Sequence, residues 1–332
     1  MTEVREFSTT LVEPAVRNES WEAASAHLLH KISVRTPGRR PMDARIRSTR
    51  AEDSVVAEVQ ARSHVVGRST GDVEHWPTGA VAIAAQLGPA AHGDGLGPHR
   101  SVATGEVMVF DADVPFRRAY DRGMHLLMWL VPREDFLTAV TATTAVSRVL
   151  EPRPGGLVDP RVATLTSTML RGARWHDAPA ELLPGGEWRP ADVLEALRLC
   201  VPGAAPSLRS YFLLARHLVD RSLAEPDLGA VSVAAGIGIS ERYLSRVLAS
   251  EGTSAPRFVT DRRLARARRD LQDPALADVS AADLGRRWGL GSPAHLSRVY
   301  KDRFGVSPRE DRPRSGGYAV PRTTQPTPRA EP

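Results

Sequence analysis

The C-terminal third of the chain repeats itself, and this repeat limits the fold more than any other feature of the sequence. Tyr243-Leu-Ser-Arg-Val-Leu248 returns 52 residues later as His295-Leu-Ser-Arg-Val-Tyr300. Each copy is followed by a glycine turn and a proline: Glu251-Gly-Thr-Ser254 with Pro256, then Phe304-Gly-Val-Ser307 with Pro308. Each is preceded by a short helix ending at glycine, at Gly238 and Gly289. The spacing is that of a helix-turn-helix. Ala234 is small where two helices cross, Gly238 supplies a positive-φ turn, and Leu244 and Val247 plug the second helix into a core. Gly285, Gly289, Leu296 and Val299 take the same places in the second copy, with one extra residue in the turn.

Helical periodicity separates two faces on each second helix. Leu244, Val247 and Leu248 form an apolar face. Arg242, Ser245 and Arg246 form a polar one, matched in the second copy by Ala294, His295, Ser297 and Arg298. An arginine in the middle of such a face can take guanine O6 and N7 bidentately in a major groove. These seven residues form the candidate base-contacting face of each helix, with an idle solvated face the alternative. Ser240, Arg262, Arg266, Ser292 and Lys301 are the expected phosphate contacts. For the arginines of the intervening helix Arg257–Leu271, Arg269 included, simple solvent exposure stays open as the alternative.

The charge follows the repeat. The 332 residues carry 44 Lys and Arg against 39 Asp and Glu, a net of +5. Residues 207–315 hold 19 basic and 13 acidic residues, a net of +6, so the remainder is close to neutral. A basic module joined to a neutral one suits a polyanion partner such as double-stranded DNA. Only Lys31 and Lys301 are lysines, and that bias is also what a GC-rich coding genome produces. The length suits two domains. The single Cys200 excludes a disulfide framework and a Cys-rich zinc site. No apolar run reaches the ~18 residues of a membrane span, and the N-terminus lacks a signal-peptide core. The expected location is the cytoplasm, with no membrane partner.

The expected fold class is α+β: an N-terminal β-barrel or sandwich with helices, then an all-α tandem helix-turn-helix domain. Glu19–His30 reads as an amphipathic helix capped by Ser20, with Trp21, Ala24 and Leu28 on one face. From 31 to about 132, short alternating runs such as Val55–Val59, Gly79–Gly88, Val107–Phe110 and His125–Val131 suggest a small barrel or sandwich. Gly88–Pro98 reads as a loop that no strand interior could occupy. Arg161–Trp175 and Ala191–Cys200 turn helical, packed on the barrel or pairing two copies. The expected divisions are 1–135 for effector sensing, 136–206 for a helical linker or dimerisation region, 207–314 for DNA binding, and a disordered tail over 315–332.

The repeat region resembles the AraC/XylS family of bacterial transcription regulators over about 100 residues. The likeness rests on Gly-Ile-Ser-x-x-Tyr-Leu-Ser-Arg (238–246), Glu-Gly-Thr-Ser-x-x-Arg-Phe (251–258), Arg-Leu-x-x-Ala (263–267) and Arg-Phe-Gly-Val-Ser-Pro (303–308). It implies a two-lobed DNA-binding domain whose recognition helices enter successive major grooves, in a protein that responds to a small-molecule effector and activates transcription through RNA polymerase. The family usually has phenylalanine where this chain has Leu290 and alanine where it has Gly285. The stretch 105–116 and the strand ending at Val131-Pro132 are similar to the family's cupin-like sensor half, which implies an effector pocket. The family often pairs through the intervening helices, so a homodimer is a further expectation.

Other residues invite chemical readings. His64, His75, His92, His99 and His125 lack metal-ligand spacing, and no metal or other cofactor is expected. Trp76, His99 and Trp129 are the candidate effector-pocket residues, with plain core the competing role for the tryptophans. Cys200 has no marked base beside it. The alternative function is a cupin-type binding protein or enzyme with an accessory basic domain. No catalytic constellation supports an enzyme.

Overall fold

The computed structural model describes residues 4–51, 53–94, 101–140, 160–173, 190–200 and 204–313. His99 and the tail over 315–332 lie outside the described residues. The chain divides into two compact units. One comprises residues 1–222 with 227–259, the other 223–226 with 260–332. No helix among the described residues is long and apolar enough to cross a membrane.

The first unit opens with two antiparallel sheets. The six-stranded sheet runs β1 (Val4–Ser8), β3 (Ala44–Ala51), β4 (Ser54–Ala61), β11 (Met124–Pro132), β6 (Ala80–Gln86), β9 (Val107–Asp111). The five-stranded sheet runs β2 (Ser33–Arg35), β5 (His64–Arg68), β10 (Phe116–Tyr120), β7 (Ala91–Asp94), β8 (Ser101–Val102). Both sheets feed one core, with Ile46, Val59, Leu126 and Met128 from the first beside Val34, Val66 and Tyr120 from the second. β11 lies between β4 and β6, with Trp129 opposite Val56 and Ile83. A strand covered on both faces has no polar side to present, which is why Met124–Val131 is almost wholly apolar.

Two sequence expectations need correction. The first helix, α1, spans Arg17–Leu28 and is preceded by a 3-10 turn at Pro14–Val16. Ser20 therefore sits inside it and caps nothing, because the turn at Pro14 starts the helical course earlier. Its apolar face is as expected, with Trp21 and Leu28 buried. The polar N-terminus also supplies the edge strand β1, paired with β3 from Val4↔Thr49 to Ser8↔Arg45. The Gly88–Pro98 stretch holds β7, which pairs with β10 at Ala119↔His92, Arg118↔Gly93 and Arg117↔Asp94. Tertiary pairing between two neighbours overrides the poor strand propensity of Ala-His-Gly-Asp.

Helices follow. α2 (Thr70–His75) carries a capping box from Ser69 and Asp72. α3 (Arg133–Val140) and α4 (Pro160–Ala173) pack on the six-stranded sheet, against β11 and β6. α5 (Pro190–Leu197) packs on α3, α4 and α6 (Leu208–Ser222). Val162, Ala163 and Leu165 of α4 and Val193, Leu194, Ala196 and Leu197 of α5 are buried within the chain itself. Arg209 of α6 bridges α5 and the glycine turn at Glu251, with its guanidinium 3.0 Å from Asp192 and 3.0 Å from Glu251. From 207 to 313 the described residues contain helices and no strand, as the α+β expectation requires.

Candidate nucleic-acid interface

The first motif is α7 (Ala230–Ile237) and α8 (Glu241–Ala249). α7 stops at Gly238, whose φ of 76° is left-handed and whose N–H turns back to the carbonyls of Ala234 and Ala235. Ser240 then caps α8 by accepting the Tyr243 N–H at 3.2 Å. Leu244, Val247 and Leu248 are buried to within 1% against α6 and α7. The opposite face is open, with Arg242, Ser245 and Arg246 exposed as expected. Tyr243 packs edge-on to Tyr211 at 5.2 Å and carries the Arg246 guanidinium 4.6 Å above its ring.

The second motif lies in the other unit. α9 (Ala255–Gln272) runs across the division between units, and α10 (Ala281–Arg287) and α11 (Pro293–Phe304) follow. Ser280 caps α10 and Ser292 caps α11. Gly289, with φ 66°, repeats the left-handed turn. A methyl group at Gly285 would come 2.7 Å from Leu296 Cδ2, so α10 and α11 cross closely there. Leu296 and Tyr300 are buried with Leu264, Ala267, Leu271, Leu284 and Leu290. Ala294, His295, Ser297 and Arg298 are exposed on the other face. An Arg298 Nη2 lies 3.3 Å from His295 Nδ1.

Two clamps hold this unit. Arg263 donates to the carbonyls of Leu223 at 3.1 Å, Glu225 at 2.6 Å and Gly289 at 3.1 Å. That gives the Arg263-Leu-x-x-Ala267 motif a structural role. Arg268 and the Tyr300 hydroxyl both reach Asp311 of α12 (Pro308–Asp311), at 2.7 and 2.6 Å. Burial works to raise the Asp311 pKa, but these two donors outweigh it and hold the carboxyl below its usual range.

The proposed phosphate contacts fall in different settings. Ser240 and Ser292 have their oxygens engaged as caps, which leaves each hydroxyl proton to donate. Lys301 is exposed on α11. Arg262 and Arg266 are half-buried, and Arg266 lies 5.2 Å over the Trp288 ring. Of the candidate effector residues, Trp76 is 57% exposed at the end of α2. Trp129 is buried on β11, on the opposite face from the inward set Leu126, Met128 and Leu130. Among the described residues the histidines do not converge: His125 pairs with Glu58 at 2.8 Å, and the His75 ring bonds the Gly71 carbonyl. Sequence reasoning missed Tyr243 as the ring under Arg246, although it opens the first repeat copy; His295, at the matching place beside Arg298, stood among the expected base contacts.

A helix-turn-helix domain family matches residues 233–314. The transcriptional activator NphR of Rhodococcus sp is 30% identical over 93 residues, which is 28% of this chain and 27% of that protein. The regulator ArgR of Pseudomonas aeruginosa is 33% identical over 114 residues, 34% of this chain and 33% of its own. The chain thus spans about a third or less of the curated relatives it matches. Among solved structures, the AraC-like transcriptional activator CuxR is 15% identical with a TM-score of 0.47, covering 80% of this chain and 95% of its own.

Proposed function

From a C-terminal part that belongs to the AraC-type helix-turn-helix family, we propose that this protein is a sequence-specific DNA-binding regulator of transcription, an activator controlled by a small molecule. Residues 207–314 carry two recognition helices, α8 and α11, and the double-sheet region senses the effector. The observation that carries this is the twice-built exposed face, Arg242/Ser245/Arg246 and Ala294/His295/Ser297/Arg298, backed by buried Leu244, Val247 and Leu248 in the first helix and by buried Leu296 and Tyr300 with half-buried Val299 in the second. A face with no task has no reason to recur with its arginine in register.

Each helix is suited to its own major-groove segment, the two about one helical turn, ~34 Å, apart. Because the two faces differ in sequence, one protomer takes an asymmetric pair of elements. RNA polymerase is the partner of an activator, and pairing through residues 136–206 would give a homodimer. The cytoplasm is where such a protein works, and it is no enzyme. Footprinting on the DNA flanking its own gene tests the proposal. Protection of two adjacent major-groove segments is expected, and protection no stronger than on scrambled DNA overturns it. Sedimentation as a monomer at tens of micromolar removes the dimer alone.

A further inference from the structure

Two arginines point inward from neighbouring strands of the five-stranded sheet, and only one is neutralised. β5 and β10 pair antiparallel, with Tyr120 opposite His64 and Phe116 opposite Arg68. Strand alternation turns His64, Val66 and Arg68 inward, together with Phe116, Arg118 and Tyr120. Arg68 has its charge compensated: it donates to the carbonyls of Lys31 at 2.8 Å and Trp76 at 2.6 Å and meets Asp113 at 3.3 Å, although its Nε has no partner. Arg118 is 3% exposed, and among the described residues no carboxylate pairs with it. Its guanidinium lies 4.2 and 4.6 Å from the ring centres of Phe110 and Phe116. Among the described residues Tyr120 is its one polar side-chain partner, and its Nε has none. A buried cation is costly to leave without an anion, which makes this arrangement unstable as pure architecture.

Other buried polar atoms line the same cavity. The His64 Nδ1 lies 2.7 Å from the Arg62 carbonyl. A carbonyl can only accept, so Nδ1 carries the proton. Burial lowers the His64 pKa, which favours the neutral ring. Its Nε2 is therefore a bare acceptor, buried and without a partner. The Trp21 Nε1 donor is also buried without a partner. Ile46, Val59, Leu126 and Met128 supply apolar walls. The free space is about 50 Å3. A ligand larger than a water or two must therefore move the flexible side chains of Met124 and Met128 on β11.

We propose that this cavity is the effector site and that it binds a small hydroxycarboxylic acid with an apolar body. The carboxylate pairs with Arg118 and the hydroxyl donates to His64 Nε2. The assignment rests on the sensor reading above and adds the ligand's chemical class. It also places the signal: the methionines that must yield sit on β11, the strand on which α3 and α4 pack.

The test is thermal melting of the full chain with 4-hydroxybenzoate, mandelate and 2-hydroxyisocaproate, each beside its neutral amide. Binding to the native state raises the melting temperature by mass action. At least one acid should raise it, and its amide should not. Arg118→Met should abolish that shift while raising the ligand-free melting temperature, because it removes an unpaired buried charge. Arg118→Lys, a second variant should the first not fold, should keep a weakened preference for acid. His64→Leu should cost about tenfold in affinity for the hydroxy acid, one hydrogen bond's worth, and little for its deoxy analogue. No shift with any acid, amides that match their acids, or an acid shift that survives Arg118→Met overturns the assignment. An acid that binds through Arg118 without changing DNA affinity leaves the site standing and removes the sensor reading instead.

Discussion

Arg246 lies 4.6 Å over the ring of Tyr243, one helical turn back on α8. In α11 the ring of His295 stands in the same place beside Arg298, at 3.3 Å. Each of these two arginines thus leaves its helix past an aromatic ring three residues earlier. The ring narrows the rotamers of a long, entropically expensive side chain before DNA arrives.

Arg246→Ala should cost about 1–3 kcal/mol on the specific site and relax base preference in one element only. Arg298→Ala should do the same in the other element. Tyr243→Leu, which removes the stacked ring but keeps an apolar contact, should cost about 0.5–1 kcal/mol on the Arg246 element. Binding isotherms on wild-type and element-scrambled DNA measure all three. Equal losses of affinity on specific and random DNA would remove the base-reading role of the arginines.

Lys301→Ala and Arg262→Ala should behave differently from those variants. As phosphate contacts they should weaken binding to every sequence, and each should reduce the slope of log affinity against log salt by about 0.9. A salt titration that leaves the slope unchanged assigns Arg262, half-buried on α9, to packing.

The turn glycines are not equivalent to the crossing glycine. At Gly289 φ is +66°, and an added methyl would meet Arg263 Cζ at 2.8 Å, where that guanidinium gathers its three carbonyls. Gly289→Ala should lose at least ~1–2 kcal/mol, the cost of placing an L-residue in the left-handed region. Gly285 lies inside α10, and its added methyl meets only the end of the Leu296 side chain. A helix-propensity gain of about 1 kcal/mol opposes that repacking, so Gly285→Ala should change stability by less than about 1 kcal/mol. Urea unfolding of the two variants decides.

Stability should fall as pH drops below 6.5. Burial lowers the pKa of His30 from 6.5 to about 4 in the folded protein. Above 6.5 both states carry a neutral ring and the full stability is present. Between 6.5 and about 4 only the unfolded chain takes up the proton, so stability should decline by about 1.4 kcal/mol per pH unit, on the order of 3 kcal/mol in total. His217, also lowered to about 4 by burial and by Arg221, should add to the slope. Urea melts between pH 7.5 and 4 test this. His30→Leu should flatten the curve, and an unchanged slope would show that His30 is not the group responsible.

The sequence by itself determined the twin helix-turn-helix motifs and the exposed face of each recognition helix. Those signals are local: a 3.6-residue period and a glycine at each turn act within a few residues of one another. The apolar runs of β4, β6, β9 and β11 were legible for the same reason. What only the tertiary structure decided depends on distant partners. Ala-His-Gly-Asp became β7 because β8 and β10 offered their edges, and Ser20 lost its cap because the helix began at Arg17 after the turn at Pro14–Val16. Arg68 and Arg118 look alike in sequence. One meets Asp113, 45 residues away, and the other faces two aromatic rings and, among the described residues, no carboxylate. Charge compensation in a barrel is a matter of which strands face each other, and no local pattern encodes it.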